Sequence, residues 1–325
     1  MRFVWFLSVL VLAGCSTSGP AGPDTVRAAQ TLLPGYAYPE GDTVRVATFN
    51  AEHFVDLFDD PYVSARRESE VDSAAVREKH QLFIDLLRAM DADVVSLQEV
   101  EGEGPVRAVL DSLAPDLGYR FVASADDADW YQNVLVISRL PLGPLTTFAD
   151  AVTPIPGETD DEGRPDATDL INHRMLAVDV YARPGYTFTL VAAHLKAGRG
   201  DRNEAWRSAQ AALLHAWLGQ RFSARPGDAN ILLAGDLNAI PGTPSFAALL
   251  NADGTLGPVR LGDPLEGTGR FTHPAEAPQR RLDHVLPSEG VRPEVIQVDV
   301  PLLLRAPERL SDHLPVVLDL LARER

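Results

Sequence analysis

The sequence is poor in cysteine and in positive charge. One cysteine, Cys15, stands among 325 residues. No intrachain disulfide can form, and no thiolate cluster for zinc can be built. Lys and Arg number 29 against 46 Asp and Glu, giving a net charge of −17. Such a chain repels polyanions at long range, which argues against generic coating of nucleic acid. No long segment interleaves basic and aromatic residues for wrapping a strand. Catalytic signatures are missing as well. There is no H-E-x-x-H of a zinc peptidase, no G-x-S-x-G elbow and no G-x-x-x-x-G-K-[ST] phosphate loop. These absences argue against zinc-peptidase, α/β-hydrolase and P-loop chemistry.

What remains is a globular composition, 45% hydrophobic and 23% charged, in a chain long enough to bury a large core. At the N-terminus Arg2 precedes an apolar run from Phe3 to Leu12 and then small residues. That is the outline of a secretory signal, too short to span a bilayer. "LAGC" (12–15) resembles the lipobox of bacterial lipoproteins, which implies cleavage before Cys15 and acylation of its sulfur. The resemblance makes this an exported protein anchored to a membrane of the bacterial envelope, in the periplasm or at the outer surface. Residues 16–40 are rich in Ser, Gly, Pro and Ala and read as a flexible tether. The expected division is a signal peptide over 1–14, a lipidated cysteine and tether over 15–41, and one domain over 42–323.

Within that domain nine short β-rich runs alternate with turn signals. They are 44–49, 93–98, 133–138, 175–182, 187–194, 230–236, 282–287, 295–300 and 315–320. "ARPG" (182–185) predicts a hairpin. Helical spacing appears over 74–90 and 203–222, and "TPSFAALL" (243–250) opens with a Thr cap and a Pro at the first position. The mixture predicts an α+β protein with two packed sheets and helices outside. Two acidic stretches, 54–73 and 149–172, read as long solvated loops, and the second lacks EF-hand spacing.

Polar residues end or precede the apolar runs: Asn50, Glu99, His194, Asp236, Asn238, Asp283, Asp312 and His313. Singly, each suits a turn or a solvated position. Together, carboxylates and an amide without thiols suit a hard cation, Mg²⁺ first and Mn²⁺ or Ca²⁺ next. A histidine among such acids fits attack of water on a phosphate ester.

"TFNAEH" (48–53), "LQEV" (97–100), "HLKAGRG" (194–200), "GDLNAIP" (235–241), "RLDHVLP" (281–287) and "SDHLPV" (311–316) follow one another in this order. The set resembles the endonuclease/exonuclease/phosphatase superfamily. That resemblance implies a four-layer α/β/β/α sandwich and a divalent-metal-dependent hydrolase of phosphate esters. It makes Glu99 the main metal carboxylate, with Asn50 and Asp312 close to the ion. It makes His313 the general base or the imidazole that polarises the phosphate, oriented by Asp283. Asp236 then positions the attacking water, Asn238 holds the phosphate, and His194 stabilises it. Lys196, beside His194, and Arg174 are candidates for contact with substrate phosphate. Arg202 and Arg207 read as solvated charges, and His53, His80, His215 and His273 as structural or surface residues. Alternation points His284 away from Asp283.

A phosphodiesterase or nuclease-like enzyme leads. The alternatives are a phosphomonoesterase, a phospholipase C-like enzyme acting on inositol phosphates or lipid head groups, and a binding lipoprotein with no activity. The partners implied are a phosphate-ester substrate and a membrane, with the protein a monomer. Pro315 lacks an N–H, so the last strand is expected to begin after Leu314, with Asp312 and His313 in a bend before it.

Radiolabelled palmitate is expected to label the wild-type protein in its host and to spare Cys15→Ser; equal labelling of the two would overturn the anchor.

Overall fold

The computed structural model describes residues 26–27, 36–58, 72–125, 132–159, 162–168, 171–224 and 230–323. One six-stranded sheet runs in the order β1 (Val26–Arg27), β6 (Leu142–Thr147), β9 (Met175–Arg183), β10 (Tyr186–His194), β11 (Ile231–Asp236) and β12 (Asp283–Pro287). The second runs β13 (Val295–Asp299), β14 (Val316–Leu321), β2 (Thr43–Phe54), β3 (Val94–Val100), β5 (Asn133–Ser138) and β4 (Phe121–Ser124). A two-stranded ribbon, β7 (Thr153–Thr159) with β8 (Pro165–Thr168), stands apart.

Side-chain alternation decides how these pieces stack. In β10, Leu190 and Ala192 face the other sheet while Val191 and Ala193 face helices. In β2, Val44 and Val46 face inward and Ala47 and Phe49 outward. Both faces of each sheet are apolar, so each must be covered twice. Between the sheets lie Val46, Val136, Val178, Leu190, Leu232 and Leu318, all fully buried. The outer face of the second sheet takes α1 (Ser73–Met90) and α2 (Glu103–Leu113), which press Phe83, Leu87 and Val106 against Phe49 and Leu97. The outer face of the first takes α3 (Asp201–Ala224) and α4 (Pro244–Leu250), through Leu214, Leu218 and Phe246. This is the expected four-layer sandwich.

Local chemistry sets the helix ends. Asp72 caps α1 by accepting from the N–H groups of Ala74 and Ala75. Thr243 caps α4, and Pro244 occupies its first position. The "ARPG" hairpin joins β9 to β10. Among the described residues no helix is long and apolar enough to cross a membrane.

The structure departs from the sequence-based expectations in three places. Val26 and Arg27, inside the expected tether, pair with Thr146 and Leu145. Tyr36 also packs against the core between the sheets and donates to the Arg139 carbonyl at 2.9 Å. The expected solvated loop 149–172 holds the β7–β8 ribbon and a buried turn, Asn172–Arg174. Helix α2 and strands β4 and β6 are additional elements. Cys15, the signal segment and residues 59–71 of the first acidic loop lie outside the described residues.

Gly235 shows how tightly the strands meet. A Cβ there would lie 1.8 Å from the Ala193 carbonyl oxygen of the neighbouring strand. Gly235→Ala is therefore expected to cost more than about 2 kcal/mol in urea unfolding, because backbone must move. An unchanged midpoint would show that the strands do not approach in this way.

Candidate active site

Six strand ends converge at one end of the sandwich. β2 runs parallel to β3, and β10 parallel to β11. Their C-terminal ends therefore carry Asn50, Glu99, His194 and Asp236 to the same place. β12 and β14 run antiparallel to their neighbours β11 and β2, so Asp283 and the residues just before β14 arrive there from their N-terminal ends. Register completes the alignment: His194 pairs with Asp236, and Asp236 with Asp283.

The backbone is distorted where it serves the site. Register slips between Asn50 and Phe54 and between Gln98 and Val100. Glu52, His53 and Glu99 adopt φ of 42°, 58° and 55°. Such left-handed residues within strands mark bulges that re-aim side chains, and they persist only where their surroundings impose them. Asn238 (φ 50°) forms a tight turn in which its N–H donates to Asp236 Oδ1 at 3.0 Å.

The Asn50 amide ties the two sheets together. Its Nδ2 donates to Glu99 Oε1 at 3.1 Å and to Asp236 Oδ2 at 3.0 Å. A second tie joins His313 Nδ1 to Asp283 Oδ2 at 2.7 Å. His313 Nε2 lies 3.8 Å from Asp236 Oδ2, and His194 Nε2 lies 3.7 Å from the same oxygen. Ser311 fixes the approach to β14: its hydroxyl donates to the Asn50 carbonyl at 2.7 Å and accepts from the His313 N–H. Asp312 and His313 thus sit in a bend, and regular strand starts at Val316.

Burial and charge then set protonation. Burial is the largest influence on Asp236. With the charges of Asp283 and Glu99 it raises the carboxyl to about 7, against the opposing pull of His313 and Asn50. Burial alone would lower His313, but Asp283, Asp236 and Asp312 outweigh it and push the imidazole up to about 10. Between those values the pair is a carboxylate beside an imidazolium. His194 is driven well below its usual range, first by burial and then by the charges of Arg174, His313 and Lys196. It is therefore a neutral imidazole.

The structure brings together Asn50, Glu99, His194, Asp236, Asp283 and His313. Asn238 adjoins them and donates its amide to the Leu195 carbonyl at 3.2 Å. Asp312, expected close to the ion with Glu99 and Asn50, turns one carboxylate oxygen to His273 Nε2 at 2.9 Å, with Oδ1 3.5 Å from His313 Nε2. Lys196 curls back onto the Ala197 carbonyl and lies over the Trp206 ring at 5.5 Å. Arg174 is buried just ahead of β9 and donates to Gln132 at 2.5 Å. Both act on His194 through charge.

One expectation needs correction. Arg207 is no solvated charge. It is buried, ion-paired to Glu204, and donates to the carbonyls of Lys196 and Gly198 at 2.8 and 2.9 Å, so it shapes the loop after His194. His273, expected as a structural or surface residue, touches Asp312. The other histidines divide. His80, His215 and His284 bond backbone carbonyls of Val55, Leu249 and Ala239, while half-exposed His53 comes within 3.6 Å of Glu99.

The donor set fits a divalent cation. Ligand atoms of Glu99, His194 and Asp236 lie within 4.8 Å of one another. Asp236, Asp283 and Asp312 act on the one imidazolium, and Glu99 adjoins through Asn50, so carboxyl groups outnumber the cation. His194 Nδ1 and Asp283 Oδ1 are buried with no hydrogen-bond partner.

A family model described as "Endonuclease/Exonuclease/phosphatase family" matches residues 47–313. The chain belongs to this family, whose members are hydrolases of phosphate esters and typically use divalent metals. Solved structures share the fold. An endonuclease/exonuclease/phosphatase from Beutenbergia cavernae is 21% identical with a TM-score of 0.52, covering 87% of this chain and 72% of that one. TDP2 from C. elegans is 16% identical with a TM-score of 0.53, covering 86% and 75%. The human Nocturnin catalytic domain, with bound sulfate, is 18% identical with a TM-score of 0.52, covering 86% and 94%. No curated protein matches the chain.

In the metal-free protein, the His313 imidazole is expected to titrate by NMR near pH 10, as the flanking carboxylates hold its proton. Asp283→Asn removes a stabilising charge, so the midpoint should fall. A wild-type midpoint near 6.5, the ordinary histidine value, would refute the charge balance.

Proposed function

We propose that the protein is a phosphodiester hydrolase that works with a divalent cation such as Mg²⁺, with Mn²⁺ or Ca²⁺ as substitutes. The observation that carries this reading is the aligned set Asp283–His313–Asp236, joined through Asn50 to Glu99 at the mouth of the sandwich. Glu99 and Asn50, with Asp236 beside them, would hold the cation. When bound, it neutralises phosphate charge and lowers the pKa of water.

The remaining chemistry belongs to the chain. Asp236, as a carboxylate, accepts a proton from the attacking water. His313, kept cationic by Asp283, donates a hydrogen bond to a phosphoryl oxygen and compensates the charge that develops there. Neutral His194 and Asn238 hold the other phosphoryl oxygens. Lys196 and Arg174 supply positive potential at the edge. A monoester dianion meets more repulsion from the carboxylates than a diester monoanion, which favours diesters. Attachment to the envelope through Cys15 would put the substrate outside the cytoplasm.

Bis-p-nitrophenyl phosphate is expected to be hydrolysed faster than p-nitrophenyl phosphate in Mg²⁺. EDTA should abolish the rate, and His313→Ala should lower it about 10²- to 10⁴-fold. A wild-type rate no greater than that of His313→Ala, with or without metal, would favour a binding protein instead.

A further inference from the structure

The hairpin that precedes β12 reaches into the site. His273 and Arg280 face each other across it, and their backbones exchange hydrogen bonds of 3.0 Å in both directions. The Thr272 hydroxyl accepts from the N–H groups of Leu282 and Asp283 at 3.0 and 3.3 Å. The Thr272 carbonyl accepts from Leu314, and the Ala275 N–H donates to the Asp312 carbonyl. One hairpin therefore braces both Asp283 and the bend that carries His313.

Its side chains continue the bracing. Arg280 Nη2 lies 2.9 Å from His273 Nδ1, and His273 Nε2 lies 2.9 Å from Asp312 Oδ2. A guanidinium can only donate. Nδ1 is therefore the acceptor, the ring's hydrogen sits on Nε2, and that N–H donates to Asp312. Asp312 needs such a partner, because its side chain is 45% exposed and would otherwise swing in solvent. The His273 side chain is only 16% exposed, and its ring meets that of His313 edge-on at 4.9 Å.

We propose that His273 is a positioning residue, oriented by Arg280, whose Nε2–H holds the Asp312 carboxylate beside His313. Its kinetic consequence rests on the phosphodiesterase reading above; its geometry does not. The same cluster of His273, Asp312 and His313 has the composition of a transition-metal site. The Arg280 contact opposes that use, because Nε2 must lose its hydrogen before it can bind metal.

Two measurements separate the possibilities. Long-range ¹H–¹⁵N spectra of histidine-labelled protein should show His273 as the Nε2–H tautomer, and Arg280→Met should relax it to a mixture. An Nδ1–H tautomer in the wild type would overturn the relay, as would micromolar Zn²⁺ shifting His273 and His313 together. Neither readout requires activity. In diester hydrolysis, His273→Ala should lower kcat about 10- to 100-fold while moving KM little, the usual scale for partners that orient site ligands. His273→Gln, which keeps a donor near the Nε2 position, should recover most of that loss. Wild-type kcat in His273→Ala, or equal losses in Ala and Gln variants, would overturn the positioning role. If the wild type itself lacks metal-dependent hydrolysis, the functional reading fails, and the tautomer still decides the relay.

Discussion

The bond between Asp283 and His313 is the constraint on which the rest of the site turns. It joins the first strand residue of β12 in one sheet to the bend before β14 in the other, at 2.7 Å and out of water. A carboxylate with no exposed surface is costly unless a charge compensates it. His313 supplies that charge, and the same requirement keeps the imidazole protonated far above its ordinary range. Most contacts between the sheets are aliphatic, with directional ties at the far end such as Arg183 to the Gly41 and Thr43 carbonyls. At the site end, hydrogen bonds and opposite charge add a further fixed relation between the two sheets.

That relation is prepared by topology. Two parallel pairs, β2 with β3 and β10 with β11, send four C-termini the same way, and two antiparallel strands bring their beginnings to meet them. The left-handed residues Glu52, His53 and Glu99 then break strand regularity where a side chain must leave the pleat. Gly235 permits the close approach that brings Asp236 level with His194. Arg207, buried beneath the loop after His194, holds that loop through the carbonyls of Lys196 and Gly198.

Much of this was legible in the residues themselves. The apolar runs Val134–Ile137 and Leu190–Ala193 are short and unbroken, so their strands could be placed, and His194, the polar residue ending the second, marked the site. What escaped had physical reasons. Helix α2 starts after Gly102 with no capping side chain and holds a Gly-Pro pair in its first turn, so its pattern lacks a start signal. Strand β6 also contains Gly-Pro and is identified only by its pairing with β9. Val26–Arg27 is too short for any period to show. The roles of His273 and Arg207 depend on contacts with Asp312 and with the carbonyls of Lys196 and Gly198. No local pattern announces such contacts.

Strand β14 lies inside its sheet, between β13 and β2, although it is the last strand in the chain. On the ribosome, the second sheet must wait with a gap until residue 321 emerges. The Ser311–Asn50 bond closes across 261 residues of sequence, a span that slows folding. A prematurely ended product would lack both the bend that carries His313 and the strand that fills the gap. Hydrolytic competence and structural completion thus arrive in the same final step, so an unfinished chain cannot act as a hydrolase.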